Sequence, residues 1–190
     1  MKTIKKMLVL VTMMAIATGY ANESCINTLT TTTTLKFFEV KIGHQYSIKD
    51  HQGSVIYSET IKRNGSFLKE FDFTNLDDGL YTFEISKDFE ILIQPFKIES
   101  QIALFSEKSM TKEFKPVVRV DNDILMVSQL TLDAKPLRLK LVYNGELIFS
   151  DELKGAQVLE RKYKLSNEEK GTYHISFTSG NRYFSEWFTL

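Results

Sequence analysis

Asn75-Leu76-Asp77-Asp78-Gly79-Leu80-Tyr81 and Asn167-Glu168-Glu169-Lys170-Gly171-Thr172-Tyr173 are two versions of one stretch, 92 residues apart. In each, a polar run ends in a Gly that permits a tight turn, and the Tyr two residues later enters an apolar, alternating segment. This is the pattern of a tyrosine corner, in which the ring of Tyr81 or Tyr173 enters the core and its hydroxyl bonds to upstream backbone. The reading points to antiparallel sandwiches and gives both Tyr a structural role.

The match extends on both sides of the turn. Laid at the same offset, residues 53–98 meet 145–190 without a gap, and eight positions are identical, among them Gly53/Gly145, Ile56/Ile148, Lys62/Lys154 and Phe96/Phe188. Class matches add Glu59/Asp151, Lys69/Arg161, Phe71/Tyr163 and Ile98/Leu190. Upstream, a one-residue shift pairs Tyr46 and Ile48 with Leu137 and Leu139. Alternation alone does not place the same Gly-x-Tyr after the same polar run, so the chain reads as an internal duplication.

Within each copy, short strands follow one another at the spacing of a sandwich. The second copy runs through Val117 to Val120, the polar turn Asp121-Asn122-Asp123, Ile124 to Leu130, and Leu137 to Tyr143. Asn144-Gly145 is a strong hairpin signal and leads into Leu147-Ile148-Phe149, then Val158 to Leu165, Tyr173 to Phe177 and Tyr183 to Leu190. The first copy follows through Tyr46 to Asp50, Ser54 to Ile61, Phe67 to Phe73, Tyr81 to Ile85 and Phe89 to Ile98. Before these, the five-Thr run Thr30 to Thr34 opens a β-branched strand. Glu107 to Lys115, the most polar connecting stretch, separates the copies.

The beginning of the chain has its own grammar. Lys2, Lys5 and Lys6 precede an apolar stretch from Met7 to Thr18, and Gly19-Tyr20-Ala21 supplies small residues before a cut ahead of Asn22. That is a secretory signal peptide over residues 1–21, its apolar run too short to span a membrane, and the mature chain has no transmembrane segment. Cys25, the only cysteine, follows Asn22-Glu23-Ser24 rather than a lipobox and permits no intramolecular disulfide.

The whole chain balances 24 basic against 24 acidic residues. Without the leader the balance is 21 against 24, divided between an acidic first half (8 against 12 over 22–106) and a nearly even second half (13 against 12 over 107–190). Such a balance excludes a basic nucleic-acid binder and a highly charged disordered chain. Outward positions carry Glu70 and Asp72 in one copy and Lys162 and Lys164 in the other, faces of opposite sign.

Three segments of the first copy bear a family resemblance. Ile48-Lys49-Asp50-His51-Gln52-Gly53-Ser54-Val55-Ile56-Tyr57, Phe71-Asp72-Phe73-Thr74-Asn75-Leu76 and Gly79-Leu80-Tyr81-Thr82-Phe83 resemble the repeat of small secreted β-sandwich proteins of Bacteroidetes. They are also similar to the C-terminal sorting domain of type IX secretion cargo. The resemblance covers most of residues 44–98 and, more weakly, 116–190. It implies an exported immunoglobulin-like module and supplies no catalytic residue.

The chemistry-bearing side chains agree with that implication. His44, His51 and His174 form no metal-binding pair, and a lone Cys builds no zinc site. There is no nucleophile elbow, phosphate loop or dinucleotide fingerprint. Asp77-Asp78 and Asp121-Asn122-Asp123 lack the spacing of a calcium loop and read as turn chemistry. The last strand of each copy turns Leu92, Phe96 and Ile98, or Phe184, Phe188 and Leu190, to the core. The opposite parity leaves Ile91, Ile93, Tyr183 and Trp187 as a candidate interaction surface, open to a covering domain or to a ligand stacked on the aromatics.

The sequence therefore specifies an all-β chain of two tandem immunoglobulin-like antiparallel β-sandwich domains, 22–106 and 107–190, after a signal peptide. Its expected function is that of an exported, non-catalytic binding or structural module, periplasmic, secreted or on the cell surface, with no cofactor and an unidentified protein or glycan partner. Two alternatives stay open: an accessory component of a secretion or surface-assembly system, and a glycan-binding module using exposed aromatics.

Overall fold

The computed structural model describes residues 32–106, 109–166 and 170–190. The leader, Cys25, Thr30, Thr31 and the Asn167-Glu168-Glu169 part of the second turn motif lie outside them. The described residues form antiparallel strands and no α-helix. The first eight are β1 (Thr32–Val40), β2 (Gln45–Lys49), β3 (Val55–Thr60), β4 (Gly65–Asp72), β5 (Gly79–Ser86), β6 (Glu90–Glu99), β7 (Ile102–Phe105) and β8 (Thr111–Phe114). The remainder are β9 (Val117–Asp121), β10 (Ile124–Leu130), β11 (Leu137–Tyr143), β12 (Glu146–Leu153), β13 (Val158–Lys164), β14 (Thr172–Ser179) and β15 (Arg182–Thr189).

Two hydrophobic cores organise these strands. In the first, the pair β1-β4 lies over the sheet β3-β2-β5-β6, whose last strand also carries β7 and β8 along its outer edge. Phe37 of β1 is fully buried at its centre, stacked on Phe67 at 4.8 Å and edge-on to Tyr46 at 5.1 Å. In the second, the sheet β13-β10-β9 faces β12-β11-β14-β15. Alternation selects the inner face: Leu137, Leu139 and Leu141 are buried, while Arg138 and Lys140 between them are exposed.

The ladders repeat along the chain. Thr32↔Asp72 to Phe37↔Phe67 in β1-β4 becomes Ile124↔Lys164 to Gln129↔Leu159 in β10-β13, a displacement of 92 residues in both strands. The strand before the hairpin departs from its expected alignment. Ile48 pairs with Phe83 and Tyr57, whereas the residue between the equivalent partners Ile175 and Phe149 is Leu141. Tyr46 and Ile48 thus correspond to Leu139 and Leu141 rather than to Leu137 and Leu139. A slip of two residues preserves which side chains face inward, so the apolar pattern does not distinguish the two alignments. The difference lies in the turn. Val55 follows Lys49 after five residues, and Leu147 follows Val142 after four, with Asn144 and Gly145 at φ 49° and 83° as a tight hairpin of this type requires.

Strands β7 and β8 have no counterpart in the expected strand list. Thr111-Lys112-Glu113-Phe114 lies within the polar connecting stretch, yet it pairs with Glu90 to Ile93 of β6. An edge strand with one face in water needs little apolar content, so composition hides it.

Candidate functional site

Arg182 opens β15 directly after the hairpin turn at Gly180 and Asn181, and from there it reaches the outer face of the first core's large sheet. Its Nη1 and Nη2 donate to Glu84 Oε2 and Oε1 at 2.9 and 2.7 Å, and its Nε donates to Glu113 at 2.7 Å. Glu84 is buried at mid-β5, and Lys49 Nζ donates to it at 2.8 Å. Lys135 lies 3.5 Å from Glu113 and 2.6 Å from Asp133. Three cations and three carboxylates thus meet between the cores.

Burial pushes the Glu84 carboxyl up, and the hydrogen bonds from Arg182 and Lys49 outweigh it, so the carboxyl lies below its ordinary range. The bond to Glu84 raises Arg182 in turn, against the opposing effect of burial. A planar guanidinium with two parallel bonds fixes orientation as well as distance. Desolvating such a pair makes it a device of placement more than of net stability.

A second recurring cluster ties the edges of the two sheets in each core. In the first, Lys69 of β4 and the hydroxyls of Tyr46 and Tyr57 converge on Glu59 of β3, at 2.5, 2.5 and 2.7 Å. The Lys69 bond, followed by those from the hydroxyls, lowers the Glu59 carboxyl to about 2. In the second, Arg161 and Tyr163 donate to Asp151 at 2.6 and 2.8 Å. Burial, reinforced by the carboxylate partner, raises both Tyr46 and Tyr163. The acid and base positions of the two clusters are the class matches Glu59/Asp151 and Lys69/Arg161 already visible in the sequence.

The expected interaction surface divides in two. Tyr183 and Trp187 are exposed at 65% and 70%, and Trp187 stacks on His174 of the neighbouring strand with ring centroids 4.3 Å apart. Ile91 is buried and Ile93 half-buried, on the face of the first sheet that carries Glu84. Ile91 and Ile93 belong to β6 and Tyr183 and Trp187 to β15. Ile91 lies between Ser86 and Glu113 in the ladder, where β8 and Arg182 approach.

At the turns, the half-buried Tyr81 donates its hydroxyl to the Asp77 carbonyl at 2.9 Å. Tyr173 is fully buried, its ring stacked between Phe188 and Tyr143. Tyr143, which sequence reasoning did not single out, donates to the Lys170 carbonyl at 3.1 Å, and a side chain on Gly171 (φ 149°) would meet its ring at 3.3 Å. Among the described residues no group of His, Cys, Asp or Glu is arranged to hold a metal ion. No helix of the described residues is long and apolar enough to cross a membrane. The exposed faces of Glu70 and Asp72 and of Lys162 and Lys164 take no part in the Arg182 junction. That junction escaped the sequence reading because its partners lie 98 residues apart and obey no local spacing.

Residues 27–99 match the protein family described as Secretion system C-terminal sorting domain, the one the first copy resembles. The match ends at Glu99, the last residue of β6. Among solved structures, the chain is similar to a biofilm associated protein BSP domain at 11% identity and a TM-score of 0.30, covering 84% of this chain and 27% of that one. It is also similar to the human OSCAR ligand-binding domain at 11% identity and a TM-score of 0.25, covering 84% of this chain and 89% of that one. The chain thus spans about 27% of the length of the first of these structures. No curated protein sequence matches the chain. The chain carries a secretion-sorting-related region on an all-β fold.

Proposed function

We propose that this chain is an exported, non-catalytic module built by duplication, with a sorting-type sandwich over 22–106 joined to a second sandwich over 107–190 that presents binding surface. The observation that carries this reading is the family match over residues 27–99. The common ladder displacement of 92 residues supports the duplication, and the Arg182 junction supports two units held in a set arrangement. The signal peptide over residues 1–21 delivers the chain to the periplasm, and the sorting-type unit directs it onward to the cell surface or medium.

The test is a reporter fused ahead of residues 22–190, behind the native leader, in a host with an intact or a disabled type IX secretion system. The reading expects surface or medium in the first host and periplasm in the second. Periplasmic retention in both would contradict it.

A second reading concerns the ligand. Trp187, exposed and stacked on His174, with exposed Tyr183 further along the same face of β15, favours stacking of a sugar ring there.

A further inference from the structure

One strand of the second copy has no described counterpart in the first. β10 pairs with β13 on one side and with β9 on the other. β1, its equivalent, pairs with β4 alone among the described residues. Displaced by the same 92 residues, β9 falls on residues 25–29, Cys25-Ile26-Asn27-Thr28-Leu29. That stretch lies behind the expected leader cut and ahead of Thr32, the first described residue. An open strand edge is a template for one more strand.

The same place holds a groove of about 160 Å³, lined by residues 35–39 of β1 and by Phe83, Ile85 and Leu92 of the facing sheet. In the second copy, Val118 and Val120 of β9 and Phe184, the equivalent of Leu92, pack against the core. Val118 stands opposite Val127, whose equivalent is the buried Leu35, and Val120 stands opposite Leu125, whose equivalent is the buried Thr33. Ile26 and Thr28 are the residues that match Val118 and Val120. Only the turn changes character. Asn122 holds φ 53° between β9 and β10, a conformation that the β-branched Thr30 in its place resists. A four-residue loop over 29–32 keeps the register and starts the ladder at Thr28 and Thr33.

We infer that this groove is a strand-acceptor site whose occupant is the chain's own segment 25–28, added to the open edge of β1 in the register of β9 on β10. Ile26 lies opposite Leu35 and fills the groove, and Cys25 lies opposite Lys36 on the outer face. Ten residues, 22–31, precede Thr32 once the leader is removed, enough for the strand and its loop. The first core is then closed by three strands, as the second is by β13, β10 and β9. This arrangement holds whatever the export route.

The test uses the mature chain and its single thiol. Cross-strand neighbours stand about 4.5 to 5.5 Å apart at Cα, within reach of a disulfide. Under oxidised glutathione, Lys36→Cys is expected to form an intrachain disulfide with Cys25, read by mass spectrometry of a non-reduced digest. Lys140→Cys, at an exposed position of the second copy, is expected to form none. In urea unfolding, Ile26→Asp is expected to lower the midpoint, and Asn27→Asp, on the outward parity, to leave it in place. Free thiols in Lys36→Cys, or equal midpoints for the two Asp variants, would overturn the inference. Disulfide-linked dimers of Lys36→Cys would also overturn it, because the strand would then come from a second copy.

Discussion

Arg182 holds Glu84 through two parallel hydrogen bonds across the junction of two hydrophobic cores. Removing the guanidinium leaves a buried carboxylate with Lys49 as its remaining partner, so Arg182→Ala should cost roughly 3 kcal/mol. Urea unfolding is expected to show an earlier midpoint and a first transition separating from the second. Arg182→Lys, which cannot make both bonds, should fall between.

The same carboxylate makes the junction sensitive to acid. The folded-state pKa of Glu84 lies below its ordinary 4.5, so its contribution is complete above 4.5 and is lost as pH falls through the folded value. The stability gap between wild type and Glu84→Gln should therefore be constant at neutral pH and shrink on acidification below 4.5. A gap that widens in acid would contradict the assignment.

Glu59 tests the tie between sheet edges in the first core. Its carboxyl sits at about 2 against an ordinary 4.5, so the stability it adds is full above 4.5 and vanishes as pH falls through about 2. The side chain is about one-third exposed, so solvent screening limits the effect, and Glu59→Gln should cost about 1 kcal/mol at pH 7. Chemical denaturation at neutral pH and near pH 2 measures both ends of that window.

Two tyrosines with bonds to turn carbonyls make a matched pair of controls. Tyr81→Phe removes the bond to Asp77, and Tyr143→Phe removes the one to Lys170. Each should lower the denaturant midpoint by an amount equivalent to about 1 kcal/mol. Unchanged midpoints would deny these hydroxyls a role in holding the turns.

Trp187 is the only tryptophan in the chain, so its fluorescence reports on one place. Trp187→Ala should leave stability nearly unchanged, because the ring is mostly in water. If that face stacks sugar rings, titration with an oligosaccharide panel should shift the wild-type emission. An emission spectrum indifferent to every glycan in the panel would remove that reading.

Most of the strand framework could be read directly from the chain, because alternation and turn residues act locally. Asn144-Gly145, the Leu137-Leu139-Leu141 series and the Tyr81 turn are examples. The two-residue ambiguity at Tyr46 and Ile48 shows the limit of the same signal: a period of two does not fix alignment where a turn changes length. Strand β8 is hidden by its polar composition, and the parity of β6 alone does not say whether the Ile91 face meets a covering segment or a ligand, because its cover comes from elsewhere in the chain.

The proposed route takes the protein beyond the outer membrane through the sorting-type region, residues 27–99. Its most direct test is protease digestion of intact cells producing the unaltered chain, followed by detection of the protein in cells, periplasm and medium. The account predicts that the mature protein is digested on intact cells or recovered from the medium, and is protected only when the secretion system is disabled. Full protection on intact cells with a working system, with release only after the outer membrane is opened, would contradict it.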